Sequence, residues 1–156
     1  MKLSQLLAPE LVVHPLVATD KWAAIRQLAE VAVRAGALDQ GAFDAVHAAL
    51  VAREKSMTTG MDHGVAIPHA AVDGIDDVVT VLGIAPDGVP FESLDGEPAR
   101  ILVCLVIPRQ KKLLHIKTLA EIAKLLNRAP VREQLLASTG ADDVLACVSR
   151  LEEQYA

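Results

Sequence analysis

Apolar positions along this chain of 156 residues recur first at helical and then at strand spacing. Leu11, Val12 and Val13 form a short apolar run closed by Pro15, which predicts a strand. Over about 20–35, Trp22, Ile25, Leu28, Ala29 and Ala32 fall on one face of a helix that Thr19-Asp20 can cap and Gly36 can end. A second helix is predicted over about 40–52, with Phe43, Val46 and Leu50 as its apolar face. Residues 53–64 then turn polar and carry two glycines, so they read as a structured loop. Val65-Ala66-Ile67 is a short apolar run stopped by Pro68, and proline biases Ile67 toward extended backbone. His69 therefore follows a strand end and is not inside a helix.

Val78 to Ile84 is a β-rich run, and Pro86-Asp87-Gly88 after it is a strong turn signal. Ile101 to Ile107 is continuously apolar, the pattern of a strand buried on both faces. Pro108 ends it, and the polar residues 109–112 lead into a helix over about 113–127 striped by Leu119, Ile122, Ala123 and Leu126. Pro130 and Asp142 begin two further helices, the last ending near Gln154. The order is strand, two helices, about three strands, three helices. Helices before and after the strands predict an α/β fold (α+β in the strict sense): a mixed sheet sandwiched between helices in three layers. Nothing linker-like divides residues 1–156, so a single domain is expected.

Composition narrows the function classes. The chain is 52% hydrophobic and 22% charged, a globular balance, and its 3% aromatic content leaves the core to Leu, Val, Ile and Ala. A net charge of -5 argues against a general nucleic-acid binder. Cys104 and Cys147 both lie in apolar patterns and read as small buried hydrophobes, not a disulfide framework. A reducing cytosol is the expected home. No run of about 18 apolar residues exists to span a membrane. Pro9, Glu10 and His14 interrupt any signal-peptide core at the N-terminus.

The chemistry-bearing residues each admit a plain reading beside a functional one. His14 and His47 read as structural or surface histidines. His63 lies between Gly60 and Gly64, glycines that can turn backbone amides toward an anion; its plain reading is an exposed loop histidine. His69 is either a catalytic histidine at a strand end or one satisfied by hydrogen bonds at the sheet rim. His115 opens the helix after the buried strand, on its inward side, where free amides favour a phosphate. It also reads as a packed rim histidine. Arg53 opens the loop and offers a fork of donors suited to phosphate oxygens, or is a solvated helix-end arginine. Thr58 and Thr59 offer hydroxyls or ordinary loop polarity. No nucleotide phosphate loop, zinc spacing or serine-nucleophile elbow is present, so no metal is expected. Arg109, Lys111 and Lys112 form a solvated turn or part of a docking rim.

Taken together, Arg53-Glu54-Lys55, Thr59-Gly60 and Gly64-Val65-Ala66-Ile67-Pro68-His69 resemble the signature of the mannitol/fructose-class enzyme IIA of the bacterial sugar phosphotransferase system. The apolar strand, proline and His115 that follow resemble the same family, over roughly residues 3 to 150. The resemblance implies a cytoplasmic phosphotransferase that needs no cofactor and is phosphorylated on His69, with His115 and Arg53 in the same site. Thr59, Gly60, His63 and Gly64 would surround the phosphate. The implied donor is the histidine-containing phosphocarrier protein, and the implied acceptor a cysteine on a IIB component of a fructose/mannitol-type transporter. Two other readings stay open: a nitrogen-type regulatory IIA that signals by phosphorylation-dependent partner binding, and a non-catalytic anion- or partner-binding module. Two departures from the family pattern stand near the site: Ala70-Ala71 where glycine often follows the histidine, and Asp62-His63 where a second loop glycine is common.

Overall fold

The apolar run around Ile101 forms the inner strand of a five-stranded mixed sheet in the computed structural model, which describes residues 2–155. The strands are β1 (Val12–Val13), β2 (Val65–Ala66), β3 (His69–Val72), β4 (Val79–Val89) and β5 (Ala99–Pro108). They run in the order β1-β4-β5-β2, with β3 also on β5. β4 and β5 are antiparallel; β1 pairs β4, and β2 and β3 pair β5, in parallel. The offset between partners is the same on both sides of Pro68: Val65 lies opposite Ile101 and His69 opposite Leu105. β2 and β3 are thus one edge line, interrupted where Pro68 has no N–H to give to the ladder. The Pro68 carbonyl still accepts from the Leu105 amide at 3.0 Å.

Helices α2 (Lys21–Arg34) and α3 (Phe43–Ser56) cover one face of the sheet. Helices α4 (Lys112–Leu126), α5 (Ala129–Leu136) and α6 (Ala141–Gln154), with the short α1 (Leu3–Leu6), cover the other. β5 feeds both cores by alternation. Leu102, Cys104 and Val106 face α2 and α3, and Ile101, Val103, Leu105 and Ile107 face α4 to α6. Each fully buried Leu or Ile here contributes roughly 1.5–3 kcal/mol by burial. The three-layer expectation holds.

Several details differ from the sequence reading. Trp22 is 36% exposed, and the inward stripe of α2 begins instead at Lys21, whose ammonium is 3.3 Å from the buried Glu54 carboxylate. α3 runs on to Ser56, four residues past the predicted end, so Arg53 sits in its last turn and does not open a loop. β3 and α1 were not anticipated. Pro86-Asp87-Gly88 does not reverse the chain: it lies inside β4, where the register against β5 shifts between Ile84 and Val89. Its turn residues make a bulge, with Gly88 at a φ of 80°. The core does take both cysteines, and burial pushes the Cys104 thiol up to about 12.

Candidate functional site

His69 opens β3 on the sheet edge, and its ring is held by its own neighbourhood. Nδ1 lies 2.7 Å from the Ile67 carbonyl oxygen. A carbonyl only accepts, so Nδ1 carries the proton and Nε2 keeps its lone pair in the neutral ring. Ala70 and Val72 enter the α2/α3 core, and strand alternation therefore turns His69 toward the face covered by α4. The side chain is half-buried. Burial lowers its pKa below the ordinary 6.5, the Ile67 hydrogen bond opposes this, and the charges of Arg53 and Glu54 lower and raise it in turn. The ring is therefore neutral at physiological pH.

This direction fixes a pH dependence. As pH falls through 6.5, the unfolded chain takes up a proton at this position before the folded one does, so the His69 contribution to stability is fully present above 6.5 and is lost as pH falls from there through the lowered folded midpoint. An NMR titration of the ring is expected to give a midpoint below 6.5. A midpoint at or above that value would contradict the burial of the site.

The loop before β2 is built around a carboxylate that the sequence reading passed over as part of a motif. Glu54, 2% exposed, accepts from the Thr59 amide at 2.7 Å, the Thr59 hydroxyl at 2.5 Å and the Lys21 ammonium at 3.3 Å. The loop then pairs with the edge line: Ile67 N–H donates to the Thr59 carbonyl and Met61 N–H to the Val65 carbonyl. Gly60 passes so close to the 91–93 segment that a Cβ there would lie 2.7 Å from Ser93 Oγ and 3.0 Å from the Phe91 carbonyl oxygen. Gly60→Ala is expected to lower the melting temperature by several degrees, on the order of 1–3 kcal/mol. An unchanged melt would show that the loop is not packed this tightly.

Thr59, Gly60 and His63 do not present free amides to an anion. The Thr59 amide is bound by Glu54, the Gly60 amide by the Thr58 hydroxyl at 3.1 Å, and the His63 amide by the Asp95 carboxylate at 2.9 Å. The expectation that loop amides here face an anion is corrected accordingly: these hydrogen bonds shape the loop. His63 itself is exposed with a left-handed φ of 65°, a conformation that Asp95 secures and that the adjacent buried Gly64 (φ 79°) also adopts. The His63 and Glu97 amides together hold the Asp95 carboxyl below the usual range. Asp62 is exposed.

Arg53 and His115 stand differently with respect to His69. Arg53 is half-buried in the last turn of α3, and its charge acts on the His69 ring. One of its five N–H donors is used, by Nη1 donating to the Met57 carbonyl at 2.8 Å. His115 is 1% exposed and begins the inward stripe of α4, on the same face of the sheet as His69. Among the described residues no hydrogen bond joins it to His69 or Arg53. Its Nδ1 is 3.2 Å from Thr118 Oγ1, which lies 3.5 Å from the Leu114 carbonyl. The hydroxyl has one proton. Thr118 donates it to the Leu114 carbonyl, the back-bond of a helical threonine. Burial, then the Lys111 charge, lowers the pKa of His115, so this ring too is neutral.

The remaining polar groups read as structure. Arg109 and Lys111 pair with Asp73 and Asp77 at 3.2 and 3.0 Å, and His47 stacks on Phe43 with centroids 5.5 Å apart. Among the described residues no group of three His, Cys, Asp or Glu is placed to hold a metal ion, and no helix is long and apolar enough to cross a membrane.

Residues 5–150 match the family described as "Phosphoenolpyruvate-dependent sugar phosphotransferase system, EIIA 2". The chain is 31% identical over 149 residues to a nitrogen regulatory protein of Bradyrhizobium diazoefficiens, covering 96% of this chain and 95% of that one. It is 29% identical over 150 residues to the fructose-specific EIIABC component of Bacillus subtilis, covering 96% of this chain but only 23% of that longer protein. Its fold is similar to the IIA in the Escherichia coli complex of mannitol enzyme IIA with phosphorylated enzyme IIB, with a TM-score of 0.77 at 25% identity over 92% of this chain and 96% of that one. On the family match, the relatives and the fold together, the chain belongs to the mannitol/fructose-class enzyme IIA family of the sugar phosphotransferase system, which includes the nitrogen-regulatory proteins.

Proposed function

We propose that this chain is a cytoplasmic phosphocarrier, a single IIA unit over residues 1–156, that accepts a phosphoryl group on Nε2 of His69. The observation that carries the reading is the 2.7 Å bond from Nδ1 to the Ile67 carbonyl, which leaves the Nε2 lone pair as the nucleophile. The donor in this reading is the phosphohistidine of the histidine-containing phosphocarrier protein. The His69 N–P bond forms as the donor's N–P bond breaks, and the electron pair returns to the donor imidazole, which then takes up a proton. The transition state is loose and highly charged, so positioning and charge are what the protein supplies. Arg53 would supply charge and free N–H donors. His115 would line the phosphoryl site from the α4 side.

In the next step a cysteine thiolate of a IIB component of a fructose/mannitol-type transporter takes the phosphoryl group, and the electron pair of the N–P bond returns to Nε2. A protein partner on this side is supported by three apolar side chains on the first turns of α4, Leu113 at 86%, Leu114 at 51% and Ile116 at 48% exposure. They flank buried His115. The regulatory output, in which the phosphorylation state controls partner binding, is favoured by the end-to-end match with a nitrogen regulatory protein. A transfer assay separates the two. Phosphorylated chain that passes its label to purified IIB supports transport. Label that IIB never accepts, from chain that is readily phosphorylated, supports regulation.

A further inference from the structure

Glu54 has no role in the chemistry described above, yet it is the most heavily bonded buried carboxylate near His69. It lies at the head of an unbroken path. Its Oε2 accepts from the Thr59 amide at 2.7 Å; the Thr59 carbonyl accepts from Ile67 N–H at 3.2 Å; and the Ile67 carbonyl is the group 2.7 Å from His69 Nδ1. Ile67 is followed by Pro68, which removes a ladder donor just where the carbonyl must be aimed. The edge line is therefore pinned at Ile67 from the loop side. Gly60 bridging to Ala66 and Met61 N–H on the Val65 carbonyl extend the same antiparallel contact by one and two residues, away from His69.

We infer that Glu54 is a positioning residue which, through Thr59 and Ile67, aims the carbonyl that keeps the His69 proton on Nδ1 and so keeps Nε2 free to take a phosphoryl group. What matters in this inference is the reach of the carboxylate to the Thr59 amide. Its charge serves a second purpose, in pairing with Lys21, whose ammonium also lies 3.2 Å from Glu92 Oε1. A buried ammonium needs a partner, and Glu92 remains one if the Glu54 charge is removed. The consequence for phosphoryl transfer rests on the proposed role of His69; the consequence for the ring tautomer does not.

Two substitutions separate reach from charge. Glu54→Gln loses the charge but keeps an oxygen at the same distance from the Thr59 amide. Glu54→Asp keeps the charge but is one methylene shorter, so it cannot reach Thr59 from its place on α3. The test reads the ring nitrogen shifts of His69 by 15N NMR in unphosphorylated protein, together with the rate of phosphorylation by the phosphocarrier protein. Wild type and Glu54→Gln are expected to show one tautomer, protonated at Nδ1, and rates within a few-fold of each other. Glu54→Asp is expected to show a mixture containing Nε2–H and a rate roughly 10–100-fold lower, the usual effect of losing a group that orients a reacting ligand from behind. A purely structural role would lower the melting temperature of both variants without separating their tautomers. The inference is overturned if Glu54→Asp keeps the single Nδ1–H tautomer, or if Glu54→Gln is the variant that loses it. If wild-type protein takes no phosphoryl group, the proposed function fails, and the tautomer result still decides the role of Glu54.

Discussion

His69→Ala is expected to abolish phosphorylation of this chain. With phosphoenolpyruvate, enzyme I and the phosphocarrier protein, wild type should gain about 80 Da of acid-labile mass, one phosphoryl group, and the variant none. The expectation is total because no other histidine has the same combination of features. His63 is exposed on a loop, His47 is stacked on Phe43, and His115 is buried with Nδ1 against Thr118. Among the described residues only His69 is half-buried at a sheet edge with Nδ1 fixed by a carbonyl. The fold should survive, since the ring contributes to neither apolar core, and the melting temperature should move by a few degrees at most. A variant still labelled at a histidine would refute the site, and an unfolded variant would mean that the ring is a structural prop of the edge strand.

The second large effect is expected at Arg53. Arg53→Ala should slow phosphorylation by about 10²–10³-fold, the loss seen when one preorganised donor to a charged transition state is removed. Arg53→Lys should recover part of the rate, since it restores the charge but not the planar fork. The same substitutions carry an independent signature. The Arg53 charge is one of the factors holding the His69 pKa down, so Arg53→Ala should raise the titration midpoint of His69 and Arg53→Lys should leave it near the wild-type value. A slow Arg53→Ala with an unmoved His69 midpoint would place the arginine away from the ring and make it a docking residue.

How far the sequence revealed this site depended on the range of the interactions involved. The buried β5 strand, the cap of α2 at Asp20 and the start of α5 at Pro130 are set by near neighbours, and all were legible. His69 was legible as a residue after a proline-stopped strand, and its resemblance to a family motif gave the rest. Four features were not legible, and each depends on contacts that local spacing does not show. α3 outran its predicted end because Glu54, polar and expected in a loop, is buried by Lys21 from another helix. The loop amides of Thr59 and His63 were expected to hold an anion and are instead occupied by carboxylates of Glu54 and Asp95. Trp22 was assigned to the core by its spacing, which cannot tell that the long Lys21 side chain, one residue earlier, has the partner inside. Pro86-Asp87-Gly88 carried correct local chemistry, but pairing with β5 turned a reversal into a bulge.

The most direct test of the site is to phosphorylate the protein with its phosphocarrier donor and locate the phosphorus by 31P and 15N NMR. The bond from Nδ1 to the Ile67 carbonyl predicts phosphorus on Nε2 of His69, with Nδ1–H retained. Phosphorus on Nδ1, or on any other histidine, would contradict it.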